Sequence, residues 1–198
     1  MLSRASLLKT LHQWHWISSA LCLVGMMLFS ITGITLNNAA RIEASPVVTT
    51  VRDSLPASVQ DELVRLAEKR DGREAFMPPS VVNWVRDQHG VALNGMLAEW
   101  SLEEVYVALP RPGGDAWARF SLTDGAFEYE CTDRGWISWF NDLHKGRHAG
   151  VVWSWFIDLF SVACLVFSIS GLLILKFHAA NRPGTWPVVG LGFVVPAL

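Results

Sequence analysis

The sequence predicts a membrane protein in which two transmembrane α-helices, and a short or incomplete third segment, flank a small α+β domain. Three observations lead to this fold class. Two long apolar runs carry at most one charge each, 17 of the 18 acidic residues lie between them, and the hydrophobic period in that region changes from helical to alternating. Charged residues make up only 17% of the 198-residue chain, whereas soluble domains carry roughly 25%.

The first span is predicted over residues 14–37, after a short cytoplasmic N-terminus of residues 1–13. Its apolar core, residues 17–36, contains no charge and would form a helix about 30 Å long, which matches the thickness of a bilayer core. A cleaved signal peptide fits less well, because the usual apolar stretch has about 7–15 residues and the following Asn-Asn-Ala-Ala-Arg is a poor cleavage site.

The second span is predicted over residues 151–177 and contains a single charge, Asp158. Residues 178–187 then form a cytoplasmic loop. The last stretch, residues 188–198, is apolar but too short to cross a bilayer alone. It is expected to be a re-entrant segment or an incomplete third helix.

The distribution of charge predicts the orientation of both spans. Arg4 and Lys9 precede the first span, and Lys176 and Arg182 follow the second, whereas residues 38–150 contain 12 basic and 17 acidic residues. The positive-inside rule therefore places both ends in the cytoplasm and the middle region in the periplasm. The net charge of −2 gives no indication of nucleic-acid binding.

The periplasmic region, residues 38–135, is predicted to fold as a small α+β domain. Amphipathic helices are expected over residues 57–71 and 79–89, each after a proline. Three strands follow, over residues 103–109, 116–122 and 126–131, and turn residues join them into two hairpins. This domain contains no nucleophile elbow, phosphate loop or zinc-protease motif, and its single histidine, His89, is interpreted as a surface residue at a helix end.

Five of the six histidines lie at the predicted membrane boundaries. They form a cytoplasmic group, His12, His15 and His178, and an outer group, His144 and His148. Imidazole at such a boundary is a frequent ligand of haem iron or of another transition metal. Three interpretations stay open: haem ligation, interfacial hydrogen bonding, and binding of a divalent metal ion. The three cysteines contain no CxxC pair, which argues against a zinc ribbon.

The outer histidines are expected on one interfacial helix over residues 136–150, which continues into the second span. His144 and His148 are four residues apart and would share a helix face. They could not then bind one haem from its two sides, so each would need a partner on another helix, or both would hold a metal ion.

Three charged residues near His144 and His148 each have a functional and a structural interpretation. Lys145 and Arg147 could bind haem propionates or an anionic substrate, or could contact lipid headgroups. Asp158 lies inside the second span, where a carboxylate is a functional candidate by default. On a continuous helix it would lie about 40° from His144 and face the same interior. The alternative is a shallow position that water reaches.

Several stretches of this sequence resemble the PepSY-associated transmembrane proteins of Gram-negative bacteria. They are LHQWHW at 11–16, GMMLFSITGITLNN at 25–38, DRGWISWFNDLHKGRHAGVVWSWFID at 133–158, SISGLLIL at 168–175 and RPGTWPVVGLGFVVP at 182–196. The resemblance implies an inner-membrane protein with a periplasmic PepSY domain. Larger relatives, the ferrisiderophore reductases, bind haem b through membrane histidines. Carried over here, His12 matches the opening LHxW, His144 matches LHxG, and His148 is the third candidate ligand.

Two functions follow from these observations. In the first, haem b passes electrons from an inner donor to a periplasmic flavoprotein or a ferric siderophore, so that the chain is a ferrisiderophore reductase or its electron-transfer subunit. In the second, the chain is a non-redox, protease-associated PepSY binding module. Two spans leave a haem exposed to lipid, whereas four helices enclose one, so a homodimer or larger membrane assembly is also expected.

Overall fold

The computed structural model describes residues 4–43 and 45–198. Within this part the chain forms two compact units. One comprises the chain up to Ile31 together with Val151–Leu198, and the other comprises Thr32–Gly150. The first unit is helical, and the second contains the sheet.

Two helices are long and apolar enough to cross a membrane, as the sequence predicts. Helix α1 covers Arg4–Asn37 and helix α5 covers Gly150–His178. They pack closely where Gly25 leaves room for the ring of Phe160, which also stacks on Phe29 at 5.1 Å between ring centres. Only 17% and 6% of the residues in the two apolar stretches are buried, so most of the surface of both helices is left for contact with another apolar phase.

The last apolar stretch forms a short helix. Helix α6 covers Thr185–Val194 and is only 10 residues long, well below the roughly 20 residues that a spanning helix needs. Short 3₁₀ helices lie on either side of it, at Ala179–Asn181 and Val195–Ala197.

The second unit is built on a six-stranded antiparallel sheet. The strands are β1 (Val47–Ser54), β2 (Arg73–Phe76), β3 (Leu97–Trp100), β4 (Glu104–Ala108), β5 (Gly114–Ser121) and β6 (Ala126–Asp133). Their order in the sheet is β1-β6-β5-β4-β3-β2. Strands β1 and β2 therefore form the two edges.

Two helices cover one face of this sheet and enclose the core. Helix α2 covers Ala57–Arg70 and helix α3 covers Pro79–His89. Proline starts α3 at its first turn, and Gly90 ends it in the left-handed conformation at φ 68°. Alternate strand residues pack against the inner faces of these helices, and Phe120, Phe127, Leu63, Val81 and Val105 are completely or almost completely buried.

The number of strands differs from the prediction. Both helices and the strands β4, β5 and β6 lie where the sequence predicts them. Strands β1, β2 and β3 were not predicted. Strands β2 and β3 have only four residues each, too few for a clear alternation. Strand β1 is exposed on both faces along nearly its whole length, so burial imposes no pattern on it.

The prediction that the interfacial helix over residues 136–150 continues into the second span is wrong. Helix α4 (Gly135–His144) ends at His144, and α5 begins at Gly150. Gly146, His148 and Gly150 between them all have positive φ, at 66°, 54° and 79°. Because a right-handed helix requires negative φ, the backbone must leave the helical path here.

His89 is also placed differently from its interpretation as a surface residue. Its side chain is only 11% exposed, and Nε2 lies 3.2 Å from Asp53 Oδ2 on β1. The ring stacks on Phe127 at 5.0 Å and meets Trp84 edge-on at 5.2 Å. This histidine therefore packs between α3 and the sheet.

Candidate haem site

The helical unit brings two of the predicted site residues together. His12 on α1 and His178 on α5 have ring centres 6.2 Å apart, with the ring planes at 88°. Each Nδ1 lies 2.8 Å from a carbonyl one turn earlier on its own helix, that of Leu8 or Ile174. A carbonyl can only accept, so each Nδ1 is the donor of its hydrogen bond. We call these two residues the helical histidine pair.

A cavity of about 460 Å³ adjoins the helical histidine pair. Arg182 contributes a positive charge to its wall, while Ile174 and Leu175 contribute apolar surface. Asn181 and Thr185 complete the lining. The cavity therefore combines two imidazole nitrogens, one cation and an apolar wall, a combination that suits an apolar ligand with acidic groups.

His15 has a different environment from its neighbour His12. Its ring stacks on Phe167 at 4.7 Å, and Nδ1 lies 3.1 Å from Ser170 Oγ and 3.2 Å from the Phe167 carbonyl. A Cβ atom at Gly171 would lie 3.0 Å from His15 Cε1, so the glycine makes room for the ring. These contacts make His15 a polar contact between α1 and α5 within the apolar region.

The second unit holds His144 against the end of α1. His144 Nδ1 lies 2.7 Å from Thr32 Oγ1, and Asn141 Oδ1 accepts a 2.8 Å hydrogen bond from the Thr35 hydroxyl. Both helices contribute side chains three residues apart, which places each pair on one helix face. The His144 ring lies beside Gly33, where a Cβ atom would make an ordinary van der Waals contact of 3.6 Å with Cε1.

Helix α4 is also attached to the β4–β5 turn. Asp142 Oδ2 accepts a 2.9 Å hydrogen bond from the Gly113 N–H. Trp139 lies directly over Gly113, and Arg134 forms an ion pair with Asp115 on β5. These contacts connect α4, the helix that ends at His144, to the sheet.

His148 does not share a helix face with His144, which corrects the prediction from their spacing. His148 lies in the turn after α4 and is exposed, with φ 54°. Lys145 and Arg147 in the same turn are exposed as well. The expected 40° angle between Asp158 and His144 fails for the same reason, because α4 and α5 are separate helices. Asp158 is exposed on α5.

The sequence reasoning missed the residues that hold the histidines in place. Thr32, Thr35 and Ser170 are polar residues inside apolar runs, and Gly33 and Gly171 are small residues beside them. This combination was the available signal, since small and polar residues mark contacts between membrane helices. Residues 4–43 and 45–198 contain no group of three or more His, Cys, Asp or Glu side chains able to hold a metal ion.

Two helices of membrane-spanning length, a helix-covered antiparallel sheet and a histidine pair on the apolar helices define a membrane-type α+β protein. The chain belongs to the PepSY_TM-like family, which it matches over residues 6–198. This match confirms the resemblance to PepSY-associated transmembrane proteins. No curated protein and no solved structure matches the chain.

Proposed function

We propose that this chain is an inner-membrane electron-transfer protein that binds haem b through its apolar helices and passes electrons to a periplasmic acceptor. The observation that carries the proposal is the helical histidine pair. His12 and His178 would hold the iron: imidazole is a usual haem ligand, and the two ring centres are 6.2 Å apart beside a cavity with an apolar wall and a cation, so the residues present fit this group.

The surroundings of the pair suit the same role. The Leu8 and Ile174 carbonyls accept a hydrogen bond from Nδ1 of each imidazole, as the outer partners of metal-binding histidines do. Arg182 in the adjoining cavity offers a cation for the haem carboxylates. When bound, haem would supply a one-electron carrier, and the histidines that hold it would tune its potential.

The proposal includes a second haem site around His144. The His144 ring lies at this site with Nδ1 2.7 Å from Thr32 Oγ1, and His144 would be one ligand of the iron. His148 is the further candidate ligand, and Lys145 and Arg147 are candidate cations for carboxylates. A quinol or a flavin reductase would donate the electrons, and a ferric siderophore or a periplasmic flavoprotein would accept them.

Haem quantitation in variants of the full-length protein tests this proposal. The unmutated protein, expressed with haem supplied and purified from membranes, is expected to be red with a Soret band that shifts on dithionite reduction. His12→Ala and His178→Ala should each abolish haem at the helical pair, measured as pyridine haemochrome per protein. His89→Gln is the matched control, because His89 lies in the sheet domain, and it should keep full haem.

His144→Ala and His148→Ala test the second site by the same measurement. Unchanged haem content in both variants would remove these residues as ligands and leave the helical pair as the haem site. Colourless unmutated protein, even with haem supplied, would refute the electron-transfer function as a whole.

A second candidate is a non-redox, protease-associated PepSY binding module anchored in the membrane. The hydrogen bonds of His15 to Ser170 and of His144 to Thr32 favour it, since they give these histidines structural roles. Under this function the protein is colourless. His144→Gln and Thr32→Val should then lower the unfolding midpoint by similar amounts without any change in absorption.

A further inference from the structure

Strand β1 is a long open edge of the sheet. It pairs with β6 on one side over eight residues, whereas the opposite edge strand, β2, has only four. Val47 and Val48 are 65% and 54% exposed, and β-branched residues fill the first five positions of the strand. Proteins usually protect such an edge, because its unpaired backbone groups can pair with another strand.

The free backbone groups of this edge follow from the pairing with β6. The Leu55 N–H donates to the Gly125 carbonyl at 2.8 Å, and Asp53 lies opposite Phe127 in the same register. Because antiparallel pairs alternate, the odd-numbered residues of β1 bond to β6 and the even-numbered ones face away. The N–H of Ser54 already donates to Asp53 Oδ1 at 2.7 Å. Both backbone groups are therefore available at Val48, Thr50 and Arg52.

We propose that β1 is a homodimer interface. Two copies pair β1 to β1 in antiparallel orientation, with Thr50 opposite Thr50 of the second copy, and the two six-stranded sheets become one. The proposal is independent of haem binding.

One register uses all three available positions. With Thr50 opposite itself, Val48 lies opposite Arg52 in both directions, and each hydrogen-bonded pair supplies two bonds. On the opposite face of the joined sheet, Thr49 of one copy then lies across from Val51 of the other. Pairs of β-branched residues in these positions stabilise antiparallel sheets.

The neighbouring registers are less favourable. A shift in one direction sets Arg52 opposite Pro46, which has no N–H to donate. A shift in the other direction sets Val48 opposite Ser54, whose N–H is already bonded. A further shift in that direction places the two copies of Arg52 opposite each other, which costs energy by charge repulsion.

Charge does not oppose the selected register. The Arg52 guanidinium forms an ion pair with Glu128 of its own chain at 2.8 Å, so it carries its own counter-charge. It faces a valine of the second copy. The edge of one strand buries less than the roughly 1,200–2,000 Å² of a stable soluble complex. We therefore expect the dimer chiefly in membranes, where anchoring in one bilayer raises the effective concentration.

Register-specific disulfides test the proposal in the full-length chain. The native cysteines Cys22, Cys131 and Cys164 are first replaced by serine. A hydrogen-bonded antiparallel pair has a Cα separation of about 5.5 Å, within the range of a disulfide. Thr50→Cys should therefore form covalent dimers in vesicles under mild oxidation.

Val48→Cys is the matched control, because the two copies of residue 48 would lie four residues, or about 13 Å, apart. It should form no dimer alone, but should cross-link when mixed with Arg52→Cys protein. Equal cross-linking of Thr50→Cys and Val48→Cys, or none in either, would overturn the proposal.

A backbone variant gives an independent test. The N–H of Thr50 faces away from β6, so Thr50→Pro removes the two Thr50–Thr50 bonds of the dimer but none of the sheet within one chain. We expect at least a tenfold weaker dimer by fluorescence transfer in vesicles, with Thr50→Val as the control that keeps the N–H. If the proline variant fails to fold, Thr50→Lys sets like charges opposite each other and should have the same effect. A dimer that survives both changes contradicts the interface.

Discussion

At the scale of single residues, the contact between α4 and the sheet at Gly113 leaves no room for a side chain. Its φ is 75°, and a Cβ atom there would lie 2.7–2.9 Å from Trp139 Cβ, Cα and N. Its N–H donates to Asp142 at 2.9 Å. The contact of α4 with the sheet therefore depends on the absence of a side chain at this position.

This geometry predicts a large effect of a small substitution. Gly113→Ala should destabilise the protein by roughly 2–4 kcal/mol, because the left-handed backbone and the collision with Trp139 both cost energy. Tryptophan fluorescence during urea unfolding of the purified chain measures the loss.

Gly95→Ala is the matched control. Its φ is 74°, yet no atom lies within 4 Å of the added Cβ, so only the backbone cost of about 1 kcal/mol remains. Equal losses of stability in the two variants would show that a collision with Trp139 contributes nothing to the cost of Gly113→Ala.

At the scale of elements, strands β1, β5 and β6 are connected by a charged network on the uncovered face of the sheet. Glu128 on β6 binds Arg52 at 2.8 Å and Arg119 at 3.0 Å. The hydrogen bond from Arg52, more than the charge of Arg119, lowers the pKa of Glu128 below its ordinary value near 4.5. Hydrogen bonds from Ser121 and the Ala126 N–H likewise lower the pKa of Asp124.

These shifts predict acid sensitivity of the sheet domain. A carboxyl group whose pKa is lower in the folded state stabilises the fold above its unfolded pKa, and the contribution disappears as pH falls through the folded pKa. The thermal midpoint should therefore fall as pH drops below about 4. Glu128→Gln should have a lower midpoint at pH 7 and a shallower decline between pH 5 and 3. Parallel declines in the two proteins would contradict this role of Glu128.

At the scale of the whole molecule, the charge asymmetry and the apolar helices together predict the topology. Family membership and the two long apolar helices support a membrane protein, and the bases outside residues 38–150 predict that both ends lie in the cytoplasm. Alkaline phosphatase fused after Gly114 should therefore be active, whereas a fusion after Arg182 should be inactive. The reverse pattern would exchange the membrane faces of the two histidine groups.

Local sequence signals predicted much of the fold. Helices α2 and α3 follow from helical periodicity between a proline and a glycine or aspartate, and the β4–β6 meander follows from alternation between turn residues. The sequence did not predict strands β1, β2 and β3, because each forms by pairing with a strand that is short or far away along the chain. Strand β1 also lacks a buried face. Their pairing is a tertiary property.

For the histidines, too, local sequence determines some properties and tertiary structure determines the others. The sequence by itself determined that histidines occur at the ends of two apolar runs, and that these runs are long enough to cross a bilayer. Only the tertiary structure decided that His12 faces His178, that His15 bonds to Ser170, and that the chain turns between His144 and His148. The physical reason is that length and periodicity are local properties of a helix, whereas partners and breaks depend on packing between segments and on positive φ angles that the surrounding structure selects.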